Sequence, residues 1–503
     1  MSRNTITVVP TKVKNKETPE FAGDYVLDKV VLMNHVGHKV DIKFLMQELN
    51  IYESIYKNAV TGSIVIGDEG NQIARMSIQG LEKIAFHLKT PGVAYGKEDV
   101  IDASFETGEP YHIYKITDRK QATPGLTIYT LHFASREFMR NLRTKVSQAY
   151  DGKYDRAVID IMKDENYLDS RKKLHYEPTG NANKIVVPNM PPFDAINMIA
   201  KRSMANKSDG VGYYFYETTT GYYFRSWQNM ITSQGNFARP PRQDFYYQPL
   251  KMHNESESTD QSQVERGYES VEEYQFINNF HDVVANTTLG TYGHRVISHN
   301  LFDKSYDVSD YHFHNKFNKT PHTDTVENTY NKSPIAHTPV DYDNNDGISD
   351  YAESRVSLQT TTPFLHDKDV GTYGLDAIQD GEKTGERISQ GNQVTLATAL
   401  KLTVKGQSYL QPGNLIRFHL KDVNADIDKD NPEDPRFSGN YIITKIRHMV
   451  HLEEYKMILE CAKDSVATSY GEVHQGVRLH RDGIHKASKS KLQIEEIDSD
   501  IGY

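Results

Sequence analysis

The stretch Leu400-Lys401-Leu402-Thr403-Val404-Lys405-Gly406 alternates apolar and polar residues until a glycine ends it, which is the period of a half-buried strand. Gln411-Pro412-Gly413 then supplies a turn, since proline presets φ at the second position and glycine tolerates the positive φ that a type II turn needs at the third. Leu415, Arg417 and His419 face one way and Ile416, Phe418 and Leu420 the other. A loop rich in Asp and Pro, residues 421–436, has no apolar spacing and leads to Phe437-Ser438-Gly439. Tyr441, Ile443, Lys445 and Arg447 next oppose Ile442, Thr444, Ile446 and His448, and residues 455–461 close the set. Four short strands at this spacing predict a small antiparallel barrel or sandwich.

Working outward, 503 residues suffice for several domains, each with its own core. The 32 tyrosines against one tryptophan point to amphipathic surfaces half buried against partners. A formal charge of −10 argues against a protein that grips nucleic acid by its phosphates, though not against DNA passing by. The lone Cys461 excludes an internal disulfide framework and a cysteine-based metal cluster, and fits assembly in a reducing cytoplasm. No apolar run is long enough to span a membrane, and the N-terminus lacks a secretory pattern. Residues 1–20 are polar, with Lys12, Lys14 and Lys16 between Pro10 and Pro19, and read as a flexible arm.

Residues 21–134 read as an all-β unit, with strands over 25–33, 40–47, 49–56, 62–68, 76–80, 81–88, 111–118 and 126–133. From Ser135 to residue 240 the period changes. Phe138, Leu142 and Val146 recur at helical spacing, a second helix begins near Asp155, and Pro191-Pro192 opens a third whose buried stripe is Phe193, Ile196, Ala200 and Met204. Two aromatic strands flank residues 218–221 as a hairpin. Residues 241–399 connect onward and contain a polar excursion, 303–362, with almost no aliphatic periodicity, expected to be long and exposed. Residues 352–358 are expected to pair, 382–399 to return the chain to the closing barrel over 400–463, and 464–503 to form a flexible tail. The expected fold class is α+β, mostly β: two tube-like antiparallel β-barrels, an α+β domain and a polar insertion.

Three stretches carry a resemblance: Tyr409-Leu410-Gln411-Pro412-Gly413 with Gly439-Asn440-Tyr441-Ile442-Ile443-Thr444-Lys445-Ile446-Arg447-His448; Asn50-Ile51-Tyr52-Glu53-Ser54-Ile55-Tyr56 with Gly62-Ser63-Ile64-Val65-Ile66-Gly67-Asp68-Glu69; and Pro188-Asn189-Met190-Pro191-Pro192-Phe193. Taken in order, the chain resembles the central hub proteins of the baseplate of contractile-tailed bacteriophages, of the T-even type. That resemblance implies a homotrimer that adapts a sixfold tail tube to a threefold central spike. Its partners would be the tail tube protein on one face, the spike on the other and baseplate wedge proteins around it, with DNA passing through the lumen unbound. It implies a virion component assembled in the host cytoplasm, with no cofactor and no enzymatic activity. A tail-associated peptidoglycan hydrolase and a host-binding adhesin are the other readings.

Phosphate-cradle, dinucleotide, zincin and nucleophile-elbow motifs are all absent from the sequence. The one candidate metal site is Asp341, Asp343, Asp346, Asp350 and Glu353, around Gly347, which carries the alternating oxygens, glycine and final glutamate of a calcium loop. Its register is faulty, because counting back from Gly347 and Glu353 puts Tyr342 where the first carboxylate belongs. A solvated Asp/Asn-Gly turn is the expected state of this stretch. His312 and His314, with no third ligand identifiable, read as loop residues.

Overall fold

The computed structural model describes residues 19–69, 78–91, 100–106, 108–180, 183–208, 210–232, 239–247, 260–278, 282–301, 304–317, 319–324, 333, 335, 347–361, 378, 380–396, 398–421, 433–434, 436–452 and 454–466. The chain opens with β1 (Val26–Met33), β2 (Lys39–Asp41), β3 (Met46–Ser54), β4 (Thr61–Glu69), β5 (Lys83–Lys89), β6 (Val100–Asp102), β7 (Tyr111–Thr123) and β8 (Leu126–Ala134). A mixed region follows: α1 (Arg136–Asn141), β9 (Val146–Tyr150), α2 (Tyr154–Lys163), β10 (Leu174–Tyr176), β11 (Ile185–Met190), α3 (Pro192–Arg202), β12 (Tyr213–Thr218), β13 (Gly221–Ser226) and α4 (Trp227–Ile231). Next come β14 (Asp244–Tyr246), α5 (Asp260–Glu269), β15 (Val271–Asn278), α6 (Val283–Thr288), β16 (Gly293–Asn300), β17 (Ser305–His312), α7 (Phe313–Phe317), β18 (Val356–Thr361) and α8 (Gly381–Leu396). The chain then closes with β19 (Thr398–Lys405), β20 (Leu415–His419), β21 (Gly439–His451) and β22 (Tyr455–Lys463).

The fold is mostly β, and its antiparallel units repeat one topology. In the first unit the sheet order is β3-β4-β8-β7, with β5 on the starting half of β7; in the second it is β15-β19-β22-β21, with β20 on the starting half of β21. Among the five strands common to both units, the order is first, second, last and penultimate, with the third laid beside the penultimate one. The likeness extends to a defect in the ladder, since β7 slips register between Ile113 and Lys115 and β21 between Ile443 and Lys445. An unpaired extra residue at the same place in both units bends the strand alike.

That slip also corrects the facing expected for β21. Tyr441 and Ile443 are buried before it, whereas Ile446, His448 and Val450 are buried after it, because one extra residue exchanges the two faces of everything beyond. The second unit begins earlier in the chain than residue 400: its first strand is β15, and β14 pairs in parallel with β20. The units share one continuous sheet and one apolar core, from Leu27 through Phe86, Phe133 and Phe418 to Cys461.

Elsewhere the structure departs from the sequence reading in definite ways. The 40–47 stretch is interrupted by a 3-10 turn at Lys43–Leu45 between β2 and β3. α1 stops at Asn141, and Val146 belongs to β9, where pairing with β11 outweighs the helical spacing of Phe138 and Leu142. α3 ends at Arg202, short of Met204. The 303–362 stretch contains β17, α7 and β18; β16 lies between β17 and β18, and Tyr292, Tyr311, Phe313 and Phe317 bury a small core there. Residues 382–396 form most of α8. Beyond β22, Asp464 and Ser465 are buried rather than part of a free tail.

Candidate assembly surface

The two units meet edge to edge. β3 pairs antiparallel with β21, from Lys445 opposite Ser54 to His451 opposite Glu48. Beneath this seam the Tyr455 hydroxyl lies 2.6 Å from His448 Nδ1, and Glu53 accepts a hydrogen bond from the Thr219 amide at 3.1 Å. Gly62 is required here by close approach: a Cβ on it would stand 2.2 Å from the Phe133 ring. At the other end of the second unit Gly413 takes φ +84°, as the Pro-Gly turn predicts, and its amide donates to the Ile443 carbonyl at 2.7 Å.

Two of the open edges among the described residues bear on assembly. Past Ile113, β7 is paired only with β8; β15 is paired only with β19. The outer half of β7 is largely exposed. By position, β7 is to the first unit what β21 is to the second, and β15 corresponds to β3. These two edges are therefore the counterparts of the two strands that already pair inside the chain.

The face of this sheet turned away from the core carries charges that are mostly matched locally. Lys445 pairs with Glu460 at 2.6 Å, Arg447 with Glu48 at 3.3 Å, and Lys405 and Lys456 both with Glu272, at 2.6 and 2.9 Å. Cations already engaged by carboxylates attract phosphates less than free ones would.

Titratable groups that cluster elsewhere are buried and serve as fasteners. Lys172 contacts Glu137 at 3.1 Å and Glu217 at 2.5 Å, Ser170 donates to Glu137, and Glu217 takes the Val60 amide at 2.8 Å, tying the first unit to the mixed region. Burial alone would push both carboxyls up. Lys172 and Ser170 reverse this for Glu137, which lies below its ordinary range, but Glu217 stays raised despite Lys172. His322 binds Asp464 at 2.8 Å, Thr323 donates amide and hydroxyl to the same carboxylate, and Asp324 pairs with Lys463 at 2.7 Å. Sequence inspection missed these clusters because their members lie far apart in the chain and carry no motif.

Of the candidate calcium ligands, Asp341, Asp343 and Asp346 lie outside the described residues. Asp350 accepts the Gly347 amide at 2.7 Å, and Glu353 pairs with Arg295. His312 Nδ1 lies 2.9 Å from the Ser349 carbonyl; His314 meets the Ser349 hydroxyl and the Ile335 carbonyl. Among the described residues no group of three or more His, Cys, Asp or Glu side chains is placed to hold a metal ion, and no helix is long and apolar enough to cross a membrane.

No protein-family model matches the chain. Among solved structures it is similar to the tail protein from Neisseria meningitidis MC58 (TM-score 0.45, 10% identity, 88% of this chain and 97% of that one). It is similar likewise to the 43 kDa tail protein of prophage MuSo2 from Shewanella oneidensis (TM-score 0.46, 8% identity, 88% and 100%). A third is the E. coli c3393 protein, described as a type VI secretion component with structural similarity to the T4 tail proteins gp27 and gp5 (TM-score 0.37, 9% identity, 84% and 75%). Tail proteins, one of them from a prophage, and a type VI secretion component are thus among the structural neighbours of this chain.

Proposed function

We propose that this chain is a structural hub of a contractile phage tail: a homotrimer whose paired β units present six similar surfaces to a sixfold tail tube and a threefold surface to a central spike. The observation that carries this reading is the internal junction. β3 of the first unit already pairs with β21 of the second, so repeating that contact between copies sets β15 of one chain against β7 of the next. A head-to-tail contact closes into a ring when its rotation divides the circle; three chains of two units require roughly sixty degrees per unit. Tail tube, spike and wedge proteins would surround this ring in the virion. DNA would pass through a lumen whose cations are already paired.

Applying the internal register to the open edges, with the further slip of β7 between Thr117 and Lys120 counted, sets Lys120 against Gln275 of the neighbouring copy. In a Cys461→Ser background, Lys120→Cys with Gln275→Cys should form covalent dimers and trimers on oxidation, and light scattering should report a trimer alone or with a spike protein. A chain that stays monomeric at all concentrations and never cross-links would overturn the ring. Turnover of peptidoglycan or binding of host sugars by the monomer would then favour the hydrolase or adhesin.

A further inference from the structure

The two units differ at one corner. Carrying the shared register slip along β8 and β22 sets Ala134 in the place of Ala462, so Arg136 corresponds to Asp464 and Glu137 to Ser465. On the neighbouring strand, Glu109 and Pro110 correspond to Gly439 and Asn440. Each unit clamps a passing segment here. Arg136 donates to the Asp169 carboxylate at 2.6 Å and Ser170 to Glu137 at 2.7 Å; in the second unit His322 and Thr323 engage Asp464, and Thr323 also meets Ser465. The next residue along the segment is Arg171 in one unit and Asp324 in the other.

Asp324 is held by the Lys463 ammonium and by the Asn440 amide, each at 2.7 Å. The first unit has no such closure. Pro110 has no N–H to offer, and neither Arg171 nor Lys83 has an ion-pair contact among the described residues. A cavity of about 260 Å³ remains, lined by Lys83, Glu109, Pro110, His112, Arg136 and Arg171. Glu109 leaves its Oε2 buried in this setting without a hydrogen-bond partner.

We propose that this cavity is a carboxylate-binding site, taking an Asp or Glu side chain from an acidic loop of a partner protein onto Arg171 and Lys83. A guanidinium presents paired donors that match a carboxylate, and the corresponding corner of the second unit is already closed by a carboxylate of the chain itself. Burial and the nearby Glu137 raise Glu109 above its ordinary range, against the opposing pull of Lys172, Arg136 and Arg171. Burial and Lys83 lower His112, which leaves the positive charge to Lys83, Arg136 and Arg171. The site does not depend on ring formation.

Fluorescence anisotropy with a labelled Asp/Glu-rich peptide and the full-length chain tests this, with the Asn/Gln version of the peptide as control. Binding of the acidic peptide alone is expected, weakened about tenfold or more by Arg171→Glu or Lys83→Glu, largely kept by Arg171→Lys and tightened by Glu109→Gln. Urea midpoints equal to wild type would establish that these variants are folded. Absence of binding, equal binding of the Asn/Gln peptide, or an affinity indifferent to Arg171→Glu would overturn the proposal. Displacement by duplex DNA with the same dependence on Arg171 would also overturn it, by making phosphate the ligand.

Discussion

His448 Nε2 on β21 lies 3.7 Å from Glu53 Oε1 on β3, directly under the strand pair that joins the two units, with both side chains essentially inaccessible to water. The same glutamate oxygen accepts the Thr219 amide, so the pair also anchors the β12–β13 hairpin. Glu53→Ala removes the acceptor of the Thr219 amide and the carboxylate nearest the buried His448 ring, which costs about 1–3 kcal/mol. A urea titration should show a lower midpoint with an unchanged slope. If the seam is also the template for assembly, the variant should oligomerise less readily at equal concentration.

The Lys172 cluster makes a pH prediction whose sign differs for its two carboxylates. Lys172, Ser170, Tyr111 and Tyr222 face the pair. Glu137 lies below its ordinary value of 4.5, so its contribution to stability is present above that pH and is lost as pH falls through the folded value. Glu217 is raised, so it opposes folding at neutral pH and that opposition disappears as pH falls toward 4.5. Wild type should therefore gain stability relative to Glu217→Gln as pH falls from 7 toward 4.5, and lose it relative to Glu137→Gln as pH falls below 4.5. Urea midpoints of the three proteins at several pH values measure this. Lys172→Met, which strands two buried carboxylates, should cost about 3–5 kcal/mol at pH 7.

Gly62 and Phe133 face one another in the first unit, as Leu400 and Cys461 do in the second. The same site is filled in opposite ways: small with large, or large with small. Gly62→Leu alone would drive its side chain into the Phe133 ring and destabilise by about 1–3 kcal/mol. Phe133→Cys alone should cost about 3–5 kcal/mol through the cavity it opens. The double variant should recover much of both losses, and a thermodynamic cycle from denaturant melts gives the coupling.

Part of this was readable in the sequence. The alternation in β19 and the turn at Gly413 follow from local rules, and the structure contains both. The repeat was present as well: Ile84-Ala85-Phe86-His87-Leu88-Lys89 is echoed by Ile416-Arg417-Phe418-His419-Leu420-Lys421, and Tyr111, Ile113, Lys115 and Ile116 by Tyr441, Ile443, Lys445 and Ile446. A self-comparison of the chain is the signal that finds it. β15 was not legible as part of the closing unit, because α6 to α8 separate it from its partner β19 and only pairing reveals it. β17 was hidden by composition: a strand whose exposed residues are Ser305, Tyr306, Asp307, Val308 and Asp310 needs only Tyr311 in the core and the backbone of β16 alongside. The buried clusters meet only in space.

The Gly347 region gives a last prediction. A calcium loop needs its final glutamate free to chelate with both oxygens, but here Glu353 is held by Arg295, which also grips Asp310 through two nitrogens, at 2.7 and 2.8 Å. Hydrogen bonding to Arg295 keeps the Asp310 carboxyl below its ordinary value. A calcium ion would have to take Glu353 from that guanidinium, and Asp350 from the Gly347 amide that it caps. Millimolar calcium should accordingly leave the thermal midpoint within about 1 °C of its value in chelator, since a ligand stabilises only in proportion to its occupancy. Arg295→Ala releases Glu353, so any latent calcium affinity should surface in that variant first. Calorimetry comparing it with wild type separates the cases: micromolar binding by wild type would mean that the Arg295 pair is no barrier, and silence in both means that the loop lacks the ligand geometry altogether.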